Sequence, residues 1–240
     1  MLPAKLAVNS YNYNISTPIQ NLTQRVVFCD FDGTITAVET FAGMLKEFAP
    51  ELSAQVMPEL YAMRITLREG VRRMLESIPS TRYPEILAYA QSKPTRPGLE
   101  ELLDFLDEKG VPFIIISGGL RGMVETVLSQ AGKSGNSLLE RVAAIYAVDI
   151  DPTGDFLRVL SQFEGETELV SKVEVMAQHP AEEQIGIGDS VTDLNMALAA
   201  SVVFARDRLS QYLDERQHPY IPWNDFFDIR EILSQRWQDV

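Results

Sequence analysis

The sequence predicts an α/β protein: a parallel sheet covered by helices on both faces, interrupted once by an all-helical insertion. Three observations predict it. From residue 99 onward, short apolar runs alternate with amphipathic stretches through short connections, the pattern of strand–helix–strand units. An earlier run at 25–29 has the unbroken hydrophobicity of a strand buried on both faces. Between them, residues 38–94 show helical spacing and no strand pattern.

Residues 1–24, rich in Asn, Ser, Thr and Tyr, read as a loose N-terminal extension. The strand at 25–29 breaks into Asp30, Asp32, Gly33 and Thr34, where polar residues and a glycine demand a turn. Phe41, Met44, Leu45 and Phe48 then fall at helical spacing, as do Val56, Leu60 and Met63, and Leu67, Val71, Met74 and Leu75. Pro50, Pro58, Pro79 and Pro84 punctuate this block, and Pro94, Pro97 and Gly98 close it. The division expected is a core of 25–36 and 95–240 with a helical cap at 37–94. Beyond the cap come a helix at 99–108 closed by Gly110, a strand at 111–116 ending at Ser117, Gly118 and Gly119, and a helix at 123–131. A strand at 142–150 turns at 151–154 and returns through Phe156 to Leu160. A helix at 168–177, a strand at 184–188, a helix at 191–200, a last short core strand at 202–205 and a helical tail from Trp223 complete the chain.

Composition narrows the partners. The 240 residues carry 34 acids against 21 lysines and arginines, a net charge of −13, which repels nucleic-acid phosphates. No run approaches the roughly 20 apolar residues that cross a bilayer, and the first residues lack the basic-then-apolar pattern of a secretory signal. The single cysteine, Cys29, cannot form an internal disulfide and suits a reducing cytoplasm. The expectation is a cytoplasmic protein, monomer or homodimer, that acts on a small molecule and not on nucleic acid or membrane.

In an open α/β sheet, ligands bind outside the carboxyl ends of the strands. Polar residues directly after apolar runs are therefore the candidates: Asp30 and Asp32, then Ser117, Gly118 and Gly119, then Asp189 and Asp193. Four carboxylates crowded at one edge repel each other, and a hard divalent cation such as Mg²⁺ removes that penalty while binding a substrate phosphate. One aspartate then serves as nucleophile and the other, two residues on, as general acid and base. Ser117 and the glycine amides suit phosphate oxygens, and Lys172 is the candidate cation. Each signal has a plainer reading. Adjacent acids are often solvated, Ser-Gly-Gly is often a turn, Lys172 alone would be a surface residue, and a carboxylate such as Glu39 is favoured at a helix start anyway.

Taken in order, Asp30-Phe-Asp-Gly-Thr, Ser117-Gly-Gly, Lys172 and Gly188-Asp-Ser-Val-Thr-Asp193 resemble the four motifs of the haloacid dehalogenase superfamily. Helices inserted after the first motif resemble its small-cap phosphatase branch. The resemblance covers about 215 residues and implies a Rossmann-like three-layer core with a small helical cap. It implies Asp30 as the nucleophile that becomes an aspartyl phosphate, and Asp32 as general acid/base. It also implies Mg²⁺ held by the Asp30 carboxylate, the Asp32 carbonyl and Asp189, with Asp193 and Thr34 in support.

Two families of that branch compete. Phosphoserine phosphatases carry a glutamate nine residues after the nucleophile, and Glu39 stands there. They also carry a cap arginine for the serine carboxylate, where this chain has Met74. The 2-hydroxy-3-keto-5-methylthiopentenyl-1-phosphate phosphatases of methionine salvage are similar in longer stretches: 69–74, 78–80, 187–193, 204–207 and 224–230. One departure is that 160–168 lacks the cysteine-rich segment of their bacterial members, which removes any metal there. The resemblance favours this second substrate, with phosphoserine as the alternative. On this reading Met74, beside Phe41, Met44 and Leu67, lines a pocket for a thioether tail, and Glu39 meets substrate hydroxyls. Arg72 and Arg73 read as a solvated cap face, with Arg72 a candidate substrate contact, and on the phosphoserine alternative one of them turns inward to the carboxylate. Phosphotransfer to a second alcohol and a non-catalytic Mg²⁺-dependent binding module are the rival readings; the intact acid/base argues against the second.

Overall fold

The computed structural model describes residues 23–130, 132, 135 and 137–238. The extension expected at 1–24 lies outside them, apart from Thr23 and Gln24, which belong to the first strand. Along the chain run β1 (Thr23–Cys29), α1 (Phe41–Phe48), α2 (Pro50–Tyr61), α3 (Leu67–Leu75), α4 (Tyr83–Gln91) and α5 (Leu99–Lys109). Then come β2 (Phe113–Leu120), α6 (Arg121–Leu128), β3 (Ala144–Asp151), β4 (Arg158–Leu160), α7 (Lys172–Ala177) and β5 (Ala181–Gly188). The last elements are α8 (Leu194–Ala199), β6 (Val202–Ala205), α9 (Asp207–Glu215), β7 (Ile221–Pro222) and α10 (Phe226–Arg236).

The strands form one sheet in the order β4-β3-β2-β1-β5-β6-β7, parallel throughout except for the β3–β4 hairpin. β1 lies at its centre, with Val27 opposite Phe113 on one side and Ile185 on the other. Val26, Val27, Phe28 and Cys29 are all buried, so both faces of β1 are covered and no alternation appears in the sequence. Each such aliphatic or aromatic side chain contributes roughly 1.5–3 kcal/mol on burial. Helix α5 buries Leu99, Leu102, Leu103 and Leu106, the i, i+3, i+4, i+7 stripe read from the sequence, and packs on α10. Asp225 starts α10 by accepting hydrogen bonds from the amides of Phe227 and Asp228. Helices α1 to α4 all fall between β1 and α5, where strand patterning was absent.

Four differences from the sequence reading have physical causes. Strand β2 does not end before Ser117 but runs to Leu120, with a register shift between Ile116 and Leu120 where the glycines let the chain bulge against β3. The helix expected from 168 begins at Lys172, and 161–171 is irregular. Helix α9 buries Leu209 and Leu213 at helical spacing, a signal present but unread. Strand β7 has two residues, too short for any pattern, and exists only by pairing with β6.

Candidate active site

The carboxyl ends of β1, β2 and β5 meet at one edge, and the chemistry-bearing residues expected there arrive with them. Asp30 follows β1, its amide donating to the Ile187 carbonyl at 2.9 Å. Lys172, the first residue of α7 and 2% exposed, reaches across to it. Its ammonium donates to Asp30 Oδ1 at 2.5 Å, Asp193 Oδ1 at 2.6 Å and the Ile116 carbonyl at 2.9 Å, so all three protons are placed. Burial works against the charge of Lys172, but the Asp193 and Asp30 carboxylates outweigh it and raise its pKa. The other oxygen of Asp193 accepts from the amides of Asp189 (3.0 Å) and Ser190 (2.9 Å), so Asp193 is fully engaged in holding the lysine and the β5 end.

Asp189 accepts from the Thr34 hydroxyl at 2.7 Å, which joins the first and last motifs across the sheet. Gly33 sits between them with φ +86°, and a Cβ there would lie 2.6 Å from Asp189 Oδ2. Only glycine fits that close approach and that backbone. A Cβ on Gly188 would likewise strike Asp193 at 2.7 Å. Oxygens of Asp30, Asp189 and Asp193 lie within 4.8 Å of one another, all three residues buried. Burial first, then the Asp193 charge, pushes the Asp30 carboxyl upward and Asp189 up to about 7. Such hard, mutually repelling oxygens fit a divalent cation, which would relieve both effects.

Asp32 turns toward the helical insertion. Its carboxylate accepts from the Thr40 amide at 2.5 Å, from the Thr40 hydroxyl and from the Phe41 amide at 3.1 Å, capping α1 from eight residues away. Thr40, the N-cap residue itself, makes no side-chain cap. Burial raises the Asp32 pKa in spite of these bonds from Thr40 and Phe41. A carboxyl raised in this way keeps its proton to higher pH than an ordinary aspartate, which suits a proton donor. Ser117 is buried at the β2 bulge, its hydroxyl accepting from the Gly119 amide at 3.0 Å, while Gly118 is exposed. Cys29 is buried beside Asp30, with its thiol pKa pushed well up by burial, so it is unreactive structure.

The residues expected to read the substrate from the helical insertion fall differently. Glu39 lines a cleft of about 230 Å³ together with Gly33, Val38, Arg96, Asp189 and Arg206. Met74 is wholly buried and its sulfur accepts from Ser53 at 3.5 Å; Met44 is wholly buried as well. Met44 and Met74, expected to line a thioether pocket, are thus both packed within the helical insertion and expose no side-chain surface to the site cleft. Phe41 does reach the site, since a Cβ on Gly119 would come within 3.4 Å of its ring. Arg72 does not turn to the site: it pairs with Glu164 at 2.7 Å and Glu76 at 3.2 Å. Arg73 lies 4.0 Å from Glu69. Sequence reading missed Arg96, whose guanidinium donates to the carbonyls of Gly33 at 2.5 Å and Thr34 at 3.0 Å and so braces the Asp30 loop. Nothing local marks it, since its partners lie more than 60 positions away.

The raised Asp189 pKa gives a testable sign. An ordinary carboxyl titrates near 4, so between about pH 4 and 7 the folded chain holds a proton that the unfolded chain has lost. Stability contributed by this site is then present at low pH and declines as pH rises through that window. In EDTA, wild type should lose melting temperature relative to Asp189→Asn between pH 5 and 8. Thermal scans of the two proteins check this, and a flat or rising difference would overturn it.

Residues 27–198 match the haloacid dehalogenase-like hydrolase family. A 2-hydroxy-3-keto-5-methylthiopentenyl-1-phosphate phosphatase of Microcystis aeruginosa (strain NIES-843 / IAM M-2473) is 61% identical over 212 residues, covering 88% of this chain and 99% of that protein. One of the same name from Geobacillus kaustophilus (strain HTA426) is 33% identical over 88% of this chain and 96% of its own length. A substrate-bound phosphoserine phosphatase structure superposes with TM-score 0.64 at 18% identity, over 89% of this chain and 98% of that one, a likeness of fold. The ordered motifs, their meeting at one sheet edge and these matches together place the chain in the haloacid dehalogenase-like hydrolases, in their phosphatase branch.

Proposed function

We propose that this chain hydrolyses 2-hydroxy-3-keto-5-methylthiopentenyl-1-phosphate, the methionine-salvage intermediate, through a covalent phosphate on Asp30 and with Mg²⁺ as its cation. The observation that carries the substrate is the 61% identity, over nearly the whole of both chains, with a phosphatase named for it. Asp30 and Asp189 would hold the cation, with the Asp32 carbonyl; when bound it neutralises phosphate charge and the repulsion among these carboxylates.

The chain's own groups divide the remaining work. Asp30 attacks phosphorus, forming its O–P bond as the bond to the substrate alcohol breaks. Asp32 gives that alcohol its proton, then takes one from the water that attacks the aspartyl phosphate and releases inorganic phosphate. Lys172 holds one oxygen of Asp30, which leaves the other to react. Ser117 and the Gly118 and Gly119 amides receive phosphate oxygens. Residues 37–94 act as a cap over the site, and the bonds from Thr40 and Phe41 bring the acid/base under the control of its first helix. Phe41 at the mouth, with Arg72 of the cap engaged by Glu164 and turned from the site, supports an uncharged tail over the carboxylate that a cap arginine would bind.

The test compares kcat/KM for the enolised methylthiopentenyl phosphate, generated in place by its upstream enzyme, with that for phosphoserine at equal Mg²⁺. A preference of at least ~10-fold for the former is expected, the lower end of what apolar pocket contacts discriminate. Preference for phosphoserine would overturn the substrate and leave the hydrolysis.

A further inference from the structure

We infer that Arg72, Arg68 and Glu164 form a strap tying the helical cap to the segment that delivers Lys172, so that seating of the cap and placement of the lysine are one event. This rests on the proposed reading of Asp30 as nucleophile and of 37–94 as cap. Arg72, on α3, donates through Nη2 to Glu164 Oε2 at 2.7 Å and through Nη1 to the Val159 carbonyl at 3.1 Å. One turn on, Glu76 accepts from the Val159 amide at 3.2 Å. The Arg68 amide donates to the Thr167 carbonyl at 2.8 Å, and its guanidinium to the Gly165 carbonyl at 3.2 Å. The turn after α3 continues the seam: Ser80 donates its amide to Asp155 at 3.0 Å, and Leu157 donates its amide to Ile78 at 3.0 Å.

The far end of the strap is the catalytic lysine. Within 161–171, the Gly165 amide donates to Glu168 at 3.0 Å, the Ser171 amide donates to Phe163 at 2.7 Å, and the Ser161 hydroxyl donates to the Leu169 carbonyl. Ser171 directly precedes Lys172. Helix α7 has six residues and no side-chain cap, so little in the helix itself fixes its first residue. The loop fixes its backbone, while Asp30, Asp193 and the Ile116 carbonyl hold its ammonium, and the loop is held by α3. Phosphoryl transfer is sensitive to misplacement of its groups by fractions of an ångström. Coupling is reciprocal, so a loop released from α3 also loosens the cap. Arg72 is thus a positioning residue acting through Lys172, and neither a substrate contact nor a loose surface charge.

The experiment uses the full chain with Mg²⁺ and p-nitrophenyl phosphate, whose leaving group needs little from the cap. Arg72→Gln and Glu164→Gln are each expected to lower kcat about 5- to 30-fold, within the usual range of coupling between sites, with KM little changed. Both should speed amide exchange of 161–171, and the conservative Arg72→Lys, which still donates to Glu164, should recover at least half of the Arg72→Gln loss. The pair is partly exposed, at 29% and 32%, so the variants keep their fold. Exchange as slow as in wild type, kcat within twofold of wild type for the glutamine variants, a rise in KM alone, or no recovery with Arg72→Lys would each overturn the strap. A wild type inactive on every phosphomonoester would instead sink the hydrolytic reading, while the exchange measurement would still decide the strap.

Discussion

Asp30→Asn is expected to lose at least ~10³ in turnover while keeping its fold, the usual scale when a reacting group is removed from a catalytic unit. The carboxylate follows β1 directly and has one oxygen fixed by Lys172 at 2.5 Å. Asparagine keeps the shape and still accepts from the lysine, but its amide nitrogen does not attack phosphorus. It also removes a carboxylate whose ionisation burial and the Asp193 charge oppose, so the variant should melt no lower than wild type. That combination separates a nucleophile from a structural acid, whose loss would reduce stability and activity together. Steady-state turnover with Mg²⁺ beside a thermal melt checks it. More than a tenth of wild-type turnover on a verified substrate would remove Asp30 from that role.

Lys172→Met should damage stability as well as activity. The ammonium lies between two buried carboxylates, 2.5 Å from Asp30 and 2.6 Å from Asp193, with side-chain exposures of 6% and 0%. Breaking a buried pair by removing one partner costs ~3–5 kcal/mol, because the remaining charges stay desolvated. At roughly 2–4 °C per kcal/mol for a chain of this size, the melt should fall by ~10 °C. The lysine's pKa is raised in the folded state, so its contribution is fully present below the unfolded value near ~10.4 and is lost only on going more alkaline. At acid pH the stranded Asp30, whose ionisation burial already opposes, takes up a proton, and the deficit of the variant should shrink. A melt within 2 °C of wild type at pH 7.5 in EDTA would mean that the lysine does not hold these two aspartates together.

Much of the site was legible because its chemistry follows the ends of apolar runs. Asp30, Ser117 and Asp189 each stand directly after a stretch that reads as a buried strand, and parallel pairing of β1 with β2 and β5 carries those ends to one edge. The helical block was equally plain from its single period, and Pro50 and Pro84 do stand in first turns, although Pro58, expected at a break, lies inside α2. Reading failed where a residue's role depends on a partner far along the chain. Ser117 to Gly119 looks like a turn, but pairing of Leu120 with Val148 keeps it in the strand. Met74 has the neighbours of a pocket residue, yet Ser53 and the surrounding helices enclose it.

The sequence by itself determined the α/β class, the central buried strand, the place of the helical insertion and the identity of the acids and lysine that meet. Local periodicity and strand-end chemistry are properties of neighbouring residues, so they can be read without coordinates. Only the tertiary structure decided that Asp32 caps α1, that Arg96 braces the Asp30 loop, and that Arg72 turns to Glu164 and away from the site. Those choices are made by partners 8, 63 and 92 positions away. A long side chain with several donors follows whichever acceptors the fold presents, and its own neighbours in sequence carry no record of them.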